Sequence, residues 1–473
     1  MHYSTANEDS RLSFWRRVRE FAVPPAMIES ATARRATGDW AGACAAAHVD
    51  VDLNLRHAAH VYGQEFAGRL RADLRHLAPD LLRWYMPRIA PDGLMRPGLT
   101  VSLARYHPVG HGGGSTVHLV ARTPPAWADA GQRISLALWD GSRFGAGPHP
   151  HPSPRRRFRL DLHRHLWDVR RVGELRVRSG ADRSPDDGRS APHLDVPPAR
   201  GLAVDRWAAE AWMLLRAEGR AGGAVAVRLG GRRQLVLDLA ADGDIPGLPA
   251  LQIRTAPARG DASAMPVLPD AATWVLPDLA LLRAGLIEAD RLHPLVVPAL
   301  VPDHSPAGAP RSPERGGGLR LVECRGAQHR IGLVNGVLVP LDHDPAEIRR
   351  EGLLAALTGT PLPCLRVIDE AHRVPDSLID VRARLDHGDT AGALAAVEDL
   401  LGPGAPLPRG ALREELEMAA RRHIDHGLFR AGLAGLGQGP AARPGRRTRR
   451  TRRTRRTGGT GRTRARLRHA TFR

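Results

Sequence analysis

The sequence predicts an α+β fold: helical regions at both ends, a middle of β-hairpins and meanders, and a basic tail expected to be disordered. Three observations predict it. Leu55, Tyr62, Phe66, Leu70, Leu74 and Leu77 recur at steps of three, four or seven, which puts them on one helical stripe. From about Gly98 the apolar period falls to two, the period of a half-buried strand. Gly230-Gly231 and Asn335-Gly336 each sit between alternating runs, and these residues tolerate the positive φ that tight hairpin turns require.

In chain order, residues from about Arg11 to Ile89 read as helical. Pro24 and Pro25 open a helix at Ala26 that runs to a Gly38-Asp39 turn, and an alanine-rich helix follows through Ala47. The Leu55–Leu77 stripe predicts one longer helix. Strands are expected at Leu99–Tyr106, Val117–Arg122 and Ile134–Trp139. Ser179 to Gly201 is polar and proline-bearing and reads as a linker. A helix over Ala203–Ala217 precedes a hairpin of Val225–Leu229 and Leu235–Leu239. Leu319–Cys324, Arg330–Val334 and Val337–Leu341 read as a meander, after which Asp344-Pro345 starts a helix to about Leu357. Helices resume at Asp376 and continue to about Leu436. The expected division is a helical region (1–95), a β-rich region (96–178), a linker (179–200), a helix with a hairpin (201–260), a Pro/Ala-rich connector (261–318), a meander followed by helices (319–440), and the tail (441–473).

One turn occurs twice. ARRATGDWAGACAAA around Gly38 and ARLDHGDTAGALAAV around Gly388 share a helix, Gly-Asp, and then Ala-Gly-Ala. Glycine ends the first helix, aspartate caps the second, and small residues let the two pack closely. The turn resembles that of a tetratricopeptide-type hairpin. Two copies 350 residues apart do not make a stacked solenoid.

Composition excludes some chemistry. All 69 basic residues are arginine, so Schiff-base catalysis and the lysine of a phosphate-binding loop are impossible. The formal net charge is +19, but residues 443–473 hold fourteen arginines and no acid, and 19 − 14 leaves about +5 for the rest. Cys44, Cys324 and Cys364 are far apart and form no CxxC pair, which argues against a disulfide framework. The N-terminus lacks the apolar stretch of a signal peptide, and the run Leu295–Val301 is broken by Pro298. A cytoplasmic protein with no membrane span is therefore expected.

Several motifs fail in context. LRVIDEAH (Leu365–His372) resembles the acidic box of DEAH-type helicases, which would make Asp369 a metal ligand and Glu370 the base. The GxxxxGK[ST] loop that such enzymes need is absent. Gly110-His111-Gly112-Gly113-Gly114 resembles the oxyanion loop of lipases and esterases, yet no GxSxG elbow accompanies it. Histidines cluster at His149/His151, His163/His165 and His423/His426. An HxH pair on a strand offers half a metal site, which Asp161 or Asp168 would complete. Against this, HPHPSP is a proline-rich loop, and the arginines of RRRFRLDLHRH repel a divalent cation.

The run RRTRRTRRTRRT contributes Arg446, Arg447, Arg449, Arg450, Arg452, Arg453, Arg455 and Arg456 as candidate nucleic-acid contacts. Without apolar residues it cannot offset the entropy of folding. Its charge would attract any polyanion without sequence preference. An expanded nine-base repeat or a shifted reading frame would give the same composition. The segment SFWRRVREFAVPPAMIESATARR (Ser13–Arg35) resembles uncharacterised proteins of high-GC actinobacteria, a likeness that implies no activity and no site residue.

The expected role is that of a non-catalytic interaction or scaffold protein with an unknown protein partner and no cofactor. The alternatives are non-specific DNA or RNA binding through the tail, and a metal-dependent enzyme using the histidines of 149–165.

Overall fold

A computed structural model describes residues 3–108, 116–141, 149–183, 201–230, 233–245, 248–255, 265–304, 376–401 and 411–433, with shorter stretches at 320–324, 327–334, 337–340, 342–344, 346–350 and 353. Two compact units divide the chain, one of residues 1–302 with 422–473 and one of residues 303–421.

The first unit opens with α1 (Tyr3–Phe21), α2 (Pro25–Ala36) and α3 (Trp40–Ala46). Pro25 sits in the first turn of α2, where its missing N–H costs nothing. Gly38 adopts φ +78°, and the Gly42 amide donates to Asp39 Oδ1 at 2.8 Å, capping α3. Arg34 Nη1 donates to the other carboxylate oxygen at 2.9 Å. The short β1 (Val49–Val51) follows, then α4 (Leu55–Tyr62), α5 (Gln64–Arg75) and α6 (Pro79–Tyr85). The single helix expected over Leu55–Leu77 is thus two helices. Gly63, at φ +94° and ψ 161°, turns the chain between them, while Phe66, Leu70 and Leu74 keep the expected stripe buried.

A two-stranded ladder of β2 (Arg88–Ile89) and β3 (Leu94–Met95) leads into β4 (Thr100–Tyr106), β5 (Val117–Arg122) and β6 (Ile134–Trp139). The sheet order is β1-β6-β5-β4, with β1 parallel to β6 and the other pairs antiparallel. Register and alternation separate two faces. Val49, Ile134, Leu136, Ala121, Leu119 and Val101 lie on the face turned to the helices, and all are buried. Asp50, Ser135, Arg122 and Thr100 form a polar row across the opposite face.

Beyond the sheet come α7 (Leu175–Ser179) and α8 (Trp207–Ala217). Trp207, Ala211, Leu214 and Leu215 of α8 form a second core with Val225, Val227 and Leu237. These last belong to an antiparallel sheet of β7 (Gly223–Gly230), β8 (Arg233–Ile245) and β9 (Leu248–Thr255). The expected hairpin is present, with Val227 opposite Leu235, and β9 adds a third strand that the sequence reading lacked. The Pro/Ala-rich connector holds three short helices, α9 (Asp270–Thr273), α10 (Pro277–Arg283) and α11 (Val297–Leu300). Leu279, Leu281, Val296 and Leu300 bring it into the main core.

Buried ion pairs lock this core. Arg19 of α1 donates to Asp278 of α10 through Nε at 2.7 Å and Nη2 at 3.1 Å, with both side chains nearly inaccessible. Its Nη1 also donates to the Trp84 carbonyl at 2.8 Å, and the guanidinium lies 4.5 Å from the centroid of the Trp84 ring. Asp80 accepts from Arg35 Nη1 and sits 3.0 Å from His293 Nε2.

In the second unit, β10 (Arg320–Cys324), β11 (Ala327–Val334) and β12 (Val337–Pro340) form the expected meander, with Val334 opposite Val337. The Ala346 amide donates to Asp344 Oδ1, starting the expected turn of helix. Helices α12 (Asp376–His387) and α13 (Thr390–Leu401) then repeat the first hairpin. Gly388 has φ +87°, the Gly392 amide donates to Asp389 Oδ1 at 2.9 Å, and Arg384 Nη1 reaches Oδ2 at 3.0 Å. Val381, Leu385, Ala393 and Val397 form a small core with Leu412 and Leu416 of α14 (Ala411–Arg430), whose turns from Arg422 group with the first unit. Among the described residues no helix is long and apolar enough to cross a membrane. Residues 184–200 of the expected linker, the glycine run 110–114, the motif 365–372 and the tail lie outside the described residues.

Candidate functional site

The parallel pair β1 and β6 places the C-terminal ends of two strands side by side. A cavity of 430 Å³ opens there over the polar face of the sheet. Asp50, Arg122, Ser135, Ala137 and Trp139 line it from the strands. Asn54 accepts from the Arg56 and His57 amides at 2.9 and 3.0 Å, capping α4 and fixing its entry angle. That helix contributes His57, Val61 and Tyr62 to the wall, and the end of α14 contributes His426, Phe429 and Arg430.

The carboxylates in this groove are engaged. Asp50 accepts from Arg133, with Nε at 3.0 Å, and Asp52 takes both oxygens to Arg430. Tyr62 donates its phenol to Asp140 at 2.9 Å. Burial alone would raise the pKa of Asp50, but His426 and Arg133 outweigh it and hold the carboxyl far below its usual range. Burial and the bond to Asp140 push the Tyr62 phenol up to about 12, so it remains a donor at neutral pH. Three carboxylates (Asp50, Asp52, Asp140) face three guanidiniums (Arg122, Arg133, Arg430), and the lining balances in formal charge.

His149 lines the groove, with Nε2 2.9 Å from the Thr123 carbonyl, and burial lowers its pKa. The His151 carbonyl accepts from Thr100 Oγ1. His163 is buried elsewhere, with Nδ1 at 3.0 Å from the Arg159 carbonyl and Nε2 at 3.1 Å from Glu210 Oε2. His165 is buried beside it, the two ring centroids 5.7 Å apart, and burial holds its pKa well below the usual value. Asp161 and Asp168 are taken by Arg159 and by Arg164 and Arg170. Among the described residues no three His, Cys, Asp or Glu side chains are placed to hold a metal ion. Cys44 is a buried thiol whose pKa desolvation pushes up to about 12, too high for a reactive thiolate. The tail arginines from Arg446 to Arg456 lie outside the described residues.

Of the sequence candidates, the groove therefore takes His149 and His426. Sequence reasoning missed Asp50, Asp52, Tyr62, Arg122, Arg133, Asp140 and Arg430. One signal was available, since Val49-Asp50-Val51-Asp52-Leu53 alternates strictly, as a strand with one polar face would. Compared with family models, with curated proteins and with solved structures, the chain matches none.

Proposed function

We propose that the protein is a non-catalytic binding protein whose groove takes a small polar ligand without net charge, such as a zwitterion. This narrows the interaction role expected from the sequence. The observation that carries the reading is the pairing of Asp50 with Arg133 and of Asp52 with Arg430 inside a cavity of 430 Å³. A general base works best with a pKa near the working pH, and Asp50, held far below that by His426 and Arg133 against its burial, is a poor one. Binding sites of about 300–1,000 Å³ typically combine apolar walls with a few fixed polar groups. Tyr62, Trp139 and Phe429 supply the aromatic surface here, and the balanced charges favour a ligand that carries both signs or neither.

A thermal-melt panel of amino acids, nucleosides and neutral sugars tests this reading. At least one compound is expected to stabilise the wild type saturably, by about 2.7 kcal/mol at a hundred times its Kd. The Arg430→Ala variant should lose that gain. Turnover of an ester, phosphoester or nucleotide by the wild type, abolished in Asp50→Asn, would show an enzyme instead.

The sequence favours a second role, since fourteen arginines without an acid make residues 443–473 a polyanion-binding segment. Deleting them should abolish retention on DNA or RNA at moderate salt. Unchanged retention in the truncated protein would rule the role out.

A further inference from the structure

A second cavity in the first unit, of 100 Å³, shares no lining residue with the groove. Its wall is aromatic. Trp15 of α1, Tyr85 at the end of α6, Phe158, and Trp274 between α9 and α10 line it, with Leu160 and Leu276 extending the apolar surface. The backbone fixes these parts. The Phe158 amide donates to the Arg155 carbonyl at 3.0 Å, and the Val275 amide to the Gly201 carbonyl at 2.8 Å.

The two tryptophans of this wall differ from their neighbours in one respect. Trp84 Nε1 donates to Asp278 at 3.2 Å, Trp167 Nε1 to the Leu160 carbonyl at 3.0 Å, and Trp207 Nε1 to the Thr273 carbonyl at 3.1 Å. Trp15 Nε1 and Trp274 Nε1 are buried without a hydrogen-bond partner, and no other buried tryptophan N–H among the described residues is in that state. Trp15 is 7% exposed. A buried donor left unmatched is costly, and an indole N–H can only donate. The chemistry that these two groups call for is therefore an acceptor.

Aromatic walls commonly take cations, but here that role is filled from within. Arg19 stands 5.3 Å from the Trp15 ring and 5.4 Å from the Tyr85 ring, and Arg11 stands 5.4 Å from the Trp274 ring. Arg157 and Asp270, both in the wall, pair at 2.6 Å, and Arg159 pairs with Asp161 at 2.7 Å. Charges answered inside the protein favour a neutral occupant. Volume limits its size, since 100 Å³ is about three times the share of one water molecule in the liquid.

We infer that this cavity binds a small neutral carbonyl compound, an apolar body of about four carbons whose oxygen accepts from the indole N–H groups of the wall.

The test is a ligand-observed NMR titration of the full chain with butanone. Cyclopentane, butyrate and n-butylammonium are the comparison probes: the first lacks an acceptor, the second adds negative charge, and the third offers only donors. Butanone should bind saturably, and cyclopentane roughly tenfold more weakly, which is the worth of one hydrogen bond. Trp15→Phe and Trp274→Phe each keep an aromatic ring and remove one N–H. At least one of them should bring butanone close to the level of cyclopentane while cyclopentane itself binds as before. A purely structural role for the two indoles would leave the preference for butanone unmoved. The inference fails if no probe binds, if cyclopentane matches butanone in the wild type, if butyrate or n-butylammonium binds more tightly than butanone, or if neither variant narrows the gap between butanone and cyclopentane.

Discussion

Glu210→Gln should destabilise the first unit by about 3–5 kcal/mol, the cost of removing one partner from a buried ion pair. Glu210 is 4% exposed, and its two oxygens accept from Arg178 Nε at 2.8 Å and Nη2 at 2.9 Å, with the His163 ring at 3.1 Å. Glutamine keeps the shape but leaves the Arg178 guanidinium with only the more distant Glu174 carboxylate, 4.0 Å from Nη1. Urea unfolding at neutral pH measures the loss. The pH dependence supplies a second readout. Burial by itself would raise the pKa of Glu210, yet His163 and Arg178 outweigh it and hold the carboxyl far below the usual glutamate value. Because the folded pKa is depressed, the stabilisation is fully present above the unfolded value of about 4.3 and declines as pH falls below it. Wild-type stability should therefore slope downward on acidification through this window, and the slope should be shallower in the variant. Equal slopes would mean that Glu210 is not the linked group.

Asp278→Ala should cost a similar amount for a different reason. It strands Arg19 in the core and removes the acceptor that faces Trp84 Nε1 at 3.2 Å. The pair joins α1 to α10 across 259 residues of sequence, so the loss should appear as separation of the N-terminal helix as well as a lower midpoint. The double variant Arg19→Met/Asp278→Leu should regain most of the stability, because no buried charge is left unpaired. Recovery measured through a double-mutant cycle separates the penalty of a stranded charge from the net worth of the pair. A single-variant loss below about 1 kcal/mol would show that water reaches Arg19.

How much of this was legible in the sequence depended on range. The three antiparallel strands and both Gly-Asp turns were readable because their signals are local: alternation, or a glycine and an aspartate side by side. The break at Gly63 was missed because the apolar stripe continues in phase across it, and only the backbone angles reveal the turn. Strand β1 was passed over although Val49–Leu53 alternates, because so short a run is a weak signal by itself and its partner begins only at Ile134. The groove suffered in the same way. Asp52 and Arg430 lie 378 residues apart, and no spacing rule connects them. Histidines drew notice because they cluster in sequence, but His163 binds Glu210 in the interior while His149 faces the groove. The arginines of 155–157 were read only as a field opposing a divalent cation, and their three-dimensional neighbours Arg96 and Arg228 were not foreseeable.

The repeated hairpin has a consequence for how such a turn is spelled. Arg34, Gly38, Asp39 and Gly42 correspond to Arg384, Gly388, Asp389 and Gly392, and in both copies a Cβ on the last glycine would collide with the aspartate that caps the helix. The clasp closes on itself within a few residues and borrows nothing from its surroundings. It is therefore a self-sufficient piece of grammar, spelled the same way in two separate bodies.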